Sequence, residues 1–265
     1  MTVYPCAKIN IGLDIIRKRE DGFHDIETVF YPVRLFDTVT FLEGCRFDWL
    51  DVLGIQLPED GKRNLVLKAL DILRKDFKIP DMRISLVKKI PFGAGLGGGS
   101  SDAAFFLKGL NEFFKLNLTR EQLIEKASVL GSDCAFFIDA EPKFASGRGE
   151  IMTSAPALDE KYKIAVIKPD FEISTAFAYS KVKPQKPETS LFENYLKPVE
   201  EWKSLIKNDF EKFLFPYFPE LEKLKKRLYD CGAVYASMTG SGSALFAIYD
   251  ENAVFDSKIQ KLRVL

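Results

Sequence analysis

Apolar residues recur at every second position through Ala7, Ile9, Ile11, Leu13 and Ile15. That period of two predicts a half-buried strand, and Asp21-Gly22 marks a turn soon after it. Val39–Leu42 and Arg46–Leu50 read as further short strands, so the first 50 residues are β-rich. The period then changes. Leu65, Ala69, Ile72, Leu73 and Phe77 fall on one face of a helix over Arg63–Phe77. Alternation returns at Ile84-Ser85-Leu86 within a strand over Met82–Lys89, which runs into a glycine-rich loop. Beyond the loop, Ala103, Ala104, Leu107, Leu110 and Phe114 predict a helix over Ser101–Phe114. Thr119 and Gln122 fit a capping box for a helix over Arg120–Leu130, with Gly131 as its stop. Ser132-Asp133 reads as the cap of a new helical run through Cys134–Ile138.

Residues 140–160 are rich in glycine, proline and small side chains and contain Ser146-Gly147-Arg148-Gly149-Glu150. The domain boundary is placed there, giving domains of 1–155 and 156–265. A strand is expected at Lys163–Lys168, a helix near Ser174–Lys181 and a Pro/Lys linker at Lys183–Glu188. Helices follow at about 199–214 and 219–231. Strands Val234–Met238 and Ala244–Tyr249 flank a second Gly/Ser loop, Thr239–Ser243. Strands and helices alternate irregularly, which predicts an α+β chain in two domains.

Composition narrows the function classes. The chain has 265 residues, 46% of them apolar, and 38 Lys plus Arg balance 38 Asp plus Glu. A nucleic-acid or membrane-surface protein usually carries a basic excess, so neither is expected. Cys6, Cys45, Cys134 and Cys231 are scattered and His24 is the sole histidine, which excludes the usual zinc patterns and a disulfide framework. The N-terminus has no basic-then-apolar leader and no apolar run reaches a membrane span, so a cytoplasmic location is expected.

Candidate chemistry concentrates in Pro91-Phe92-Gly93-Ala94-Gly95-Leu96-Gly97-Gly98-Gly99-Ser100-Ser101-Asp102. Glycines let backbone N–H groups converge, and a helix starting near Ser100 adds its positive end, together an anion cradle. By itself the loop leaves several nucleotide folds open. It lacks the Gly-Lys-Ser/Thr of a Walker loop. Gly93-x-Gly95-x-x-Gly98 matches a dinucleotide fingerprint, but Arg83, Lys88 and Lys89 make the preceding strand basic, and no strand end with an acidic residue follows about 20 residues on.

The same stretch resembles the second motif of the GHMP kinases, the galactokinase, homoserine, mevalonate and phosphomevalonate kinase superfamily. Ala7-Lys8-Ile9-Asn10-Ile11-Gly12-Leu13 resembles the first motif and Met238–Ala244 the third, in the expected order. Ala7–Asn10 with Asp21-Gly22-Phe23-His24, and the triple glycine before Ser100-Ser101, are similar to the branch whose alcohol is a cytidine diphosphate-linked methylerythritol. The resemblance implies a two-domain fold: an N-terminal ATP-binding α/β domain and a C-terminal ferredoxin-like α+β domain. It implies ATP with Mg2+ as cofactors, and ATP and a cytidine diphosphate polyol as small-molecule partners of a monomer or weak homodimer. Rival readings are another small-molecule kinase of the superfamily and an NAD-dependent oxidoreductase.

Roles follow the matched motifs. ATP phosphates would be held by Pro91, Gly93, Ala94, Gly95, Leu96, Gly97, Gly98, Gly99, Ser100 and Ser101. No protein metal cage is expected; the metal is carried by ATP, with Ser101 as its contact, while Asp102 caps the helix. On the residues alone Asp133 is equally a base or a helix cap, and Lys8 a solvated strand lysine. The resemblance, through Gly131-x-Asp133-x-x-Phe136-Phe137, implies that Lys8 and Asp133 are the catalytic pair. Cys134 and Ala135 stand where the superfamily often has Val-Pro, and Phe23 where it more often has Tyr. His24 would read the cytosine, with Phe23 stacking on one side and Tyr179, or Phe177, on the other. Asn10 and Thr175 would hold the polyol or diphosphate, and Gly240 and Ser241 would contact substrate. Each also has a plain structural reading: a surface histidine, a helix-packing aromatic, a β-turn. Asn64 and Lys68 are candidates near the adenine.

Overall fold

Strands Thr2–Val3, Thr38–Glu43, Met82–Lys88 and Trp49–Gly54 form, in that spatial order, a four-stranded sheet. The computed structural model describes residues 1–56 and 63–251. It places this sheet in the first of two units, made of Met1–Lys8, Pro32–Phe92 and Gly97–Glu141. All pairings in the sheet are antiparallel except that of Trp49–Gly54, which runs parallel to Met82–Lys88. Helices Leu65–Arg74, Gly98–Phe113, Arg120–Leu130 and Ser132–Asp139 complete the unit. Phe41 meets Phe106 edge-on with centroids 5.0 Å apart. A Cβ on Gly109 would come within 2.9 Å of the Phe41 ring, so that glycine sets how closely helix and sheet pack.

The Thr119 capping box is present in both halves, as the spacing requires. Three expectations shift. The strand expected at Arg46–Leu50 begins instead at Trp49. Asp48 is held by Arg74 and accepts the Met82 amide at 3.0 Å, so it pins the approach to the strand. The helix expected from Ser101 starts at Gly98 behind Gly97, whose φ is +71°. A Cβ on Gly98 would lie 2.9 Å from Ile90 and 3.1 Å from Lys88 Nζ, so a poor helix former stands where the helix must approach the strand. The cap of Ser132–Asp139 is Gly131, with no side-chain capping bond. Asp133 is therefore not a cap but lies within the first turn.

The second unit comprises Ile9–Tyr31, Gly93–Leu96 and the chain from Pro142. Tyr235–Met238, Leu245–Asp250 and Tyr162–Ile167 form an antiparallel sheet in that order. Helices Thr175–Lys181, Asp209–Leu214 and Pro219–Asp230 contribute Ala178, Phe210, Leu214, Leu221 and Leu228 to its core. A second sheet runs Cys6–Lys18, His24–Phe36, Lys143–Ser146, Ile151–Ser154. Strand His24–Phe36 carried no clean alternation, because Val29 and Phe30 are adjacent and both buried. The segment read as a boundary around residues 140–160 contains a hairpin, with Ala145 opposite Met152. The helix expected over 199–214 is broken into a 3-10 turn at Val199–Glu201 and helices Trp202–Leu205 and Asp209–Leu214. Ile206 is extended at φ −110°, and Asn208 caps the next helix by accepting the Phe210 amide. Among the described residues no helix is long and apolar enough to cross a membrane.

Candidate active site

In the first unit the start of helix Gly98–Phe113 is an anion site in waiting. Gly97 supplies no side-chain cap, so the amides of Gly98, Gly99 and Ser100 have no acceptor within the helix. Their N–H groups and the helix dipole present positive charge at one end. Ser101 lies in the same turn. Its amide donates to Gly97 O at 2.9 Å, and its hydroxyl is buried without a hydrogen-bond partner. An orphaned oxygen there fits a phosphate–cation unit. No group of three metal-ligating side chains occurs among the described residues.

Lys8 and Asp133 meet beside that helix start, Nζ to Oδ2 at 3.6 Å. Lys8 is buried, whereas the Asp133 side chain keeps 32% of its surface exposed. Burial lowers the Lys8 pKa, and the Asp133 carboxylate opposes that shift by charge and hydrogen bonding. A Cβ on Gly97 would lie 2.9 Å from the Phe137 ring and 3.2 Å from Lys8 Cγ. The Lys8–Asp133 pair thus abuts Gly97, the residue just before the helix. Phe136 and Phe137 are fully buried and anchor the short helix that carries Asp133. Burial pushes the Cys134 thiol up to about 11, with a Ser100 hydrogen bond opposing.

Beneath the same turn lies a buried ionic cluster that sequence reasoning missed. Lys88 Nζ contacts Asp37 and lies 2.7 Å from Asp102 Oδ2. Asp37 Oδ1 also accepts the amides of Lys89 and Ile90, at 2.5 and 2.8 Å. Asp102, expected to cap the helix, instead faces the interior. Burial pushes its carboxyl up to about 7, with Lys88 opposing and Asp37 adding to the rise. Parity could have found Lys88, since Met82, Ile84, Leu86 and Lys88 all point inward. Pro91 is buried at the loop's entry. Of the adenine candidates, Asn64 accepts the Val66 amide as a helix cap, and Lys68 is exposed.

In the second unit, Gly93–Leu96 packs backbone to backbone against Thr239–Ser243. A Cβ on Gly95 would overlap the Thr239 carbonyl oxygen, and one on Gly242 would overlap Ala94. Two glycine loops are needed because neither tolerates a side chain at the crossing. Ala94 and Leu96 are buried, and the Glu172 carboxylate faces Gly93. Neutral groups lock the crossing. Asn10 N donates to Thr239 Oγ1 at 2.9 Å, and Asn10 Nδ2 to Thr28 Oγ1 at 3.0 Å. Thr28 donates in turn to Gly12 O at 2.6 Å. Asn208 Nδ2 donates to Met238 O and Gly240 O. Ser241 Oγ lies 3.3 Å from Thr175 Oγ1. Ser243 Oγ is buried without a partner. Thr28 and Asn208 carried no sequence signal.

The aromatic set is also in the second unit. His24 stacks on Tyr179 with centroids 4.9 Å apart and planes at 27°. Tyr179 meets Phe210 edge-on at 5.0 Å. Burial, with the charge of Lys18, holds the His24 pKa below its usual value, so the ring is neutral at pH 7. Phe177 packs edge-on against Tyr217 and Phe218, which leaves Tyr179 as the residue beside His24. Phe23 is exposed.

Comparison with known proteins bears on the same segments. The family model for the GHMP kinases N terminal domain matches residues 64–140, and that for GHMP kinases C terminal matches 192–262. The chain is 46% identical over 265 residues to the 4-diphosphocytidyl-2-C-methyl-D-erythritol kinase of Bacteroides fragilis, covering 99% of this chain and 95% of that protein. It is 47% identical to the enzyme of the same name from Bacteroides thetaiotaomicron over 94% of this chain and 92% of the relative. A crystal structure of 4-(cytidine 5'-diphospho)-2C-methyl-D-erythritol kinase superposes with a TM-score of 0.77 at 31% identity, covering 93% of this chain and 89% of that one. Methanococcus jannaschii mevalonate kinase superposes with a TM-score of 0.71 at 16% identity, over 100% and 96% of the two chains. That last likeness concerns the fold.

Proposed function

This chain belongs to the GHMP kinases, and from that premise we propose that it transfers the γ-phosphoryl group of ATP to the 2-hydroxyl of 4-diphosphocytidyl-2-C-methyl-D-erythritol, a step of non-mevalonate isoprenoid synthesis. One observation carries the reaction type: the Lys8–Asp133 pair abuts the uncapped helix start at Gly97. A base and a phosphate-binding end therefore sit side by side within the first unit. The relatives' names support the choice of alcohol.

Phosphoryl transfer asks the protein for alignment and charge stabilisation more than for covalent chemistry. The partly exposed Asp133 carboxylate takes the proton from the 2-hydroxyl as its oxygen forms a bond to the γ-phosphorus. The bond from that phosphorus to the bridging oxygen breaks, and ADP keeps the electron pair. The Lys8 ammonium, 3.6 Å from Asp133, orients that carboxylate and offsets negative charge developing on the alcohol oxygen. The amides of Gly98, Gly99 and Ser100 hold phosphate oxygens, with Ser101 facing the phosphate–magnesium unit. Magnesium, when bound with ATP, neutralises phosphate oxygens that no lysine reaches.

In the second unit, His24, neutral at pH 7, reads the cytosine edge, and Phe23 and Tyr179 offer it stacking faces. Asn10, Thr175, Gly240 and Ser241 hold the polyol or diphosphate. Residues 1–155 act as the ATP-binding part and 156–265 as its C-terminal companion; the two family matches fall on either side of that cut. The test is ADP release from purified protein with MgATP and a panel of alcohols. Turnover with the cytidine diphosphate polyol is expected; turnover only with mevalonate or homoserine overturns the choice of substrate.

A further inference from the structure

Phe23 has no place in the core: 56% of its surface is exposed, just after the Asp21-Gly22 turn. A phenyl ring on a surface turn samples several rotamers, and a base that stacks on it must first immobilise it. One contact fixes the backbone that carries this ring, and a second restricts the ring itself. The Phe23 amide donates to Asp21 Oδ1 at 3.1 Å, and the Arg148 guanidinium lies over the ring, 5.0 Å from its centroid. Arg148 comes from the turn between strands Lys143–Ser146 and Ile151–Ser154. That turn is shaped to deliver it. Gly147 and Gly149 have φ of +68° and +104°, conformations that L side chains rarely adopt. Gly147 O accepts the Ile26 amide at 2.7 Å, which ties the turn to the strand that begins at His24. Glu150 accepts the amide of Arg148 and lies 3.7 Å from its Nε.

We propose that Arg148 is a positioning residue for substrate recognition: its guanidinium stacks on one face of Phe23 and so presents the opposite face to the pyrimidine. This rests on the reading of Phe23 as a base-stacking residue. A planar guanidinium suits the role because it lies flat on an aromatic face, which an ammonium cannot do. The contact also strengthens when the incoming base removes water from the ring, since cation–π attraction grows on desolvation. Part of the stabilisation is therefore realised only in the complex.

The experiment is steady-state kinetics with MgATP and the cytidine diphosphate polyol on wild type, Arg148→Gln, Arg148→Lys, Phe23→Leu and the double variant Arg148→Gln/Phe23→Leu. Arg148→Gln is expected to raise KM for the polyol about three- to tenfold. KM for ATP and kcat should stay within about twofold. Arg148→Lys should recover little, and Arg148→Gln should add nothing once Phe23 is Leu. An unchanged polyol KM in Arg148→Gln overturns the proposal, as does an undiminished effect in the Phe23→Leu background. A wild type that phosphorylates only some other alcohol removes the substrate reading and this proposal together, a result distinct from either of those.

Discussion

Around the start of helix Gly98–Phe113, to which we assign phosphate binding, the first unit buries Lys8, Asp37, Lys88 and Asp102. The loop crossing in the second unit is held instead by Asn10, Thr28, Asn208 and Thr239, none of which ionises. The contrast follows the chemistry assigned to each. A triphosphate brings charge, and the reaction moves it, so fixed buried charges there bias protonation and hold ionised oxygens. The other ligand offers hydroxyls, a base and a diphosphate that does not react, which hydroxyl, amide and bare backbone donors can hold without a buried charge of their own. The two designs should fail differently when broken.

The largest expected effect is on rate. Asp133→Asn keeps the size of the side chain but cannot accept a proton, and should lower kcat by about 10²–10⁴-fold. ATP should still raise the melting temperature of this variant, because the phosphate contacts proposed above are amides of a different helix, at Gly98, Gly99 and Ser100. Turnover near that of wild type would remove Asp133 from the role of base. Next comes stability. Lys88→Met leaves Asp37 and Asp102 buried without their cation and should cost about 3–5 kcal/mol in urea unfolding. Asn208→Ala in the second unit strips donors from two carbonyls and should cost about 1–3 kcal/mol. If the asparagine proves the more expensive, the contrast between charged and neutral designs does not hold.

How much of this was legible in the chain depended on whether the signal was local. The capping box at Thr119, the stop at Gly131 and the strand at Met82–Lys88 rest on neighbouring residues, and the structure places them as expected. The Lys8–Asp133 meeting was named only through motif resemblance, since no periodicity joins residues 125 positions apart in sequence. Asp37 and Lys88 went unrecognised for a related reason: a lysine in a strand reads as solvated unless its parity is checked against Met82, Ile84 and Leu86. Asn208 gave no signal because its amide serves carbonyls 30 and 32 residues away. The helix start at Gly98 was misjudged because propensity disfavours glycine, whereas contact with Ile90 and Lys88 requires it.

An effect seen only as a dependence on pH sharpens the comparison from the other side. The second unit does hold an acid in a crowded place: Asp14, whose carboxyl is pushed up to about 7 by burial and then by the charges of Asp209 and Glu27, with Lys207 opposing. An unfolded chain releases that proton near pH 3.9. Between about pH 4 and 7 the folded protein therefore holds a proton that the unfolded chain has lost, and stability falls as pH rises through that window. Below it both states are protonated and above it neither is, so the slope vanishes at both ends. Asp14→Asn mimics the protonated acid and removes the decline. Its melting temperature relative to wild type should be higher at pH 8 than at pH 5, with the difference growing through the window. Were that difference independent of pH, Asp14 would be an ordinary solvated carboxylate. A growing difference would mean that the second unit carries Asp14 toward its neutral form beside like charges, whereas in the first unit Asp102, also pushed up to about 7, is opposed by the buried Lys88.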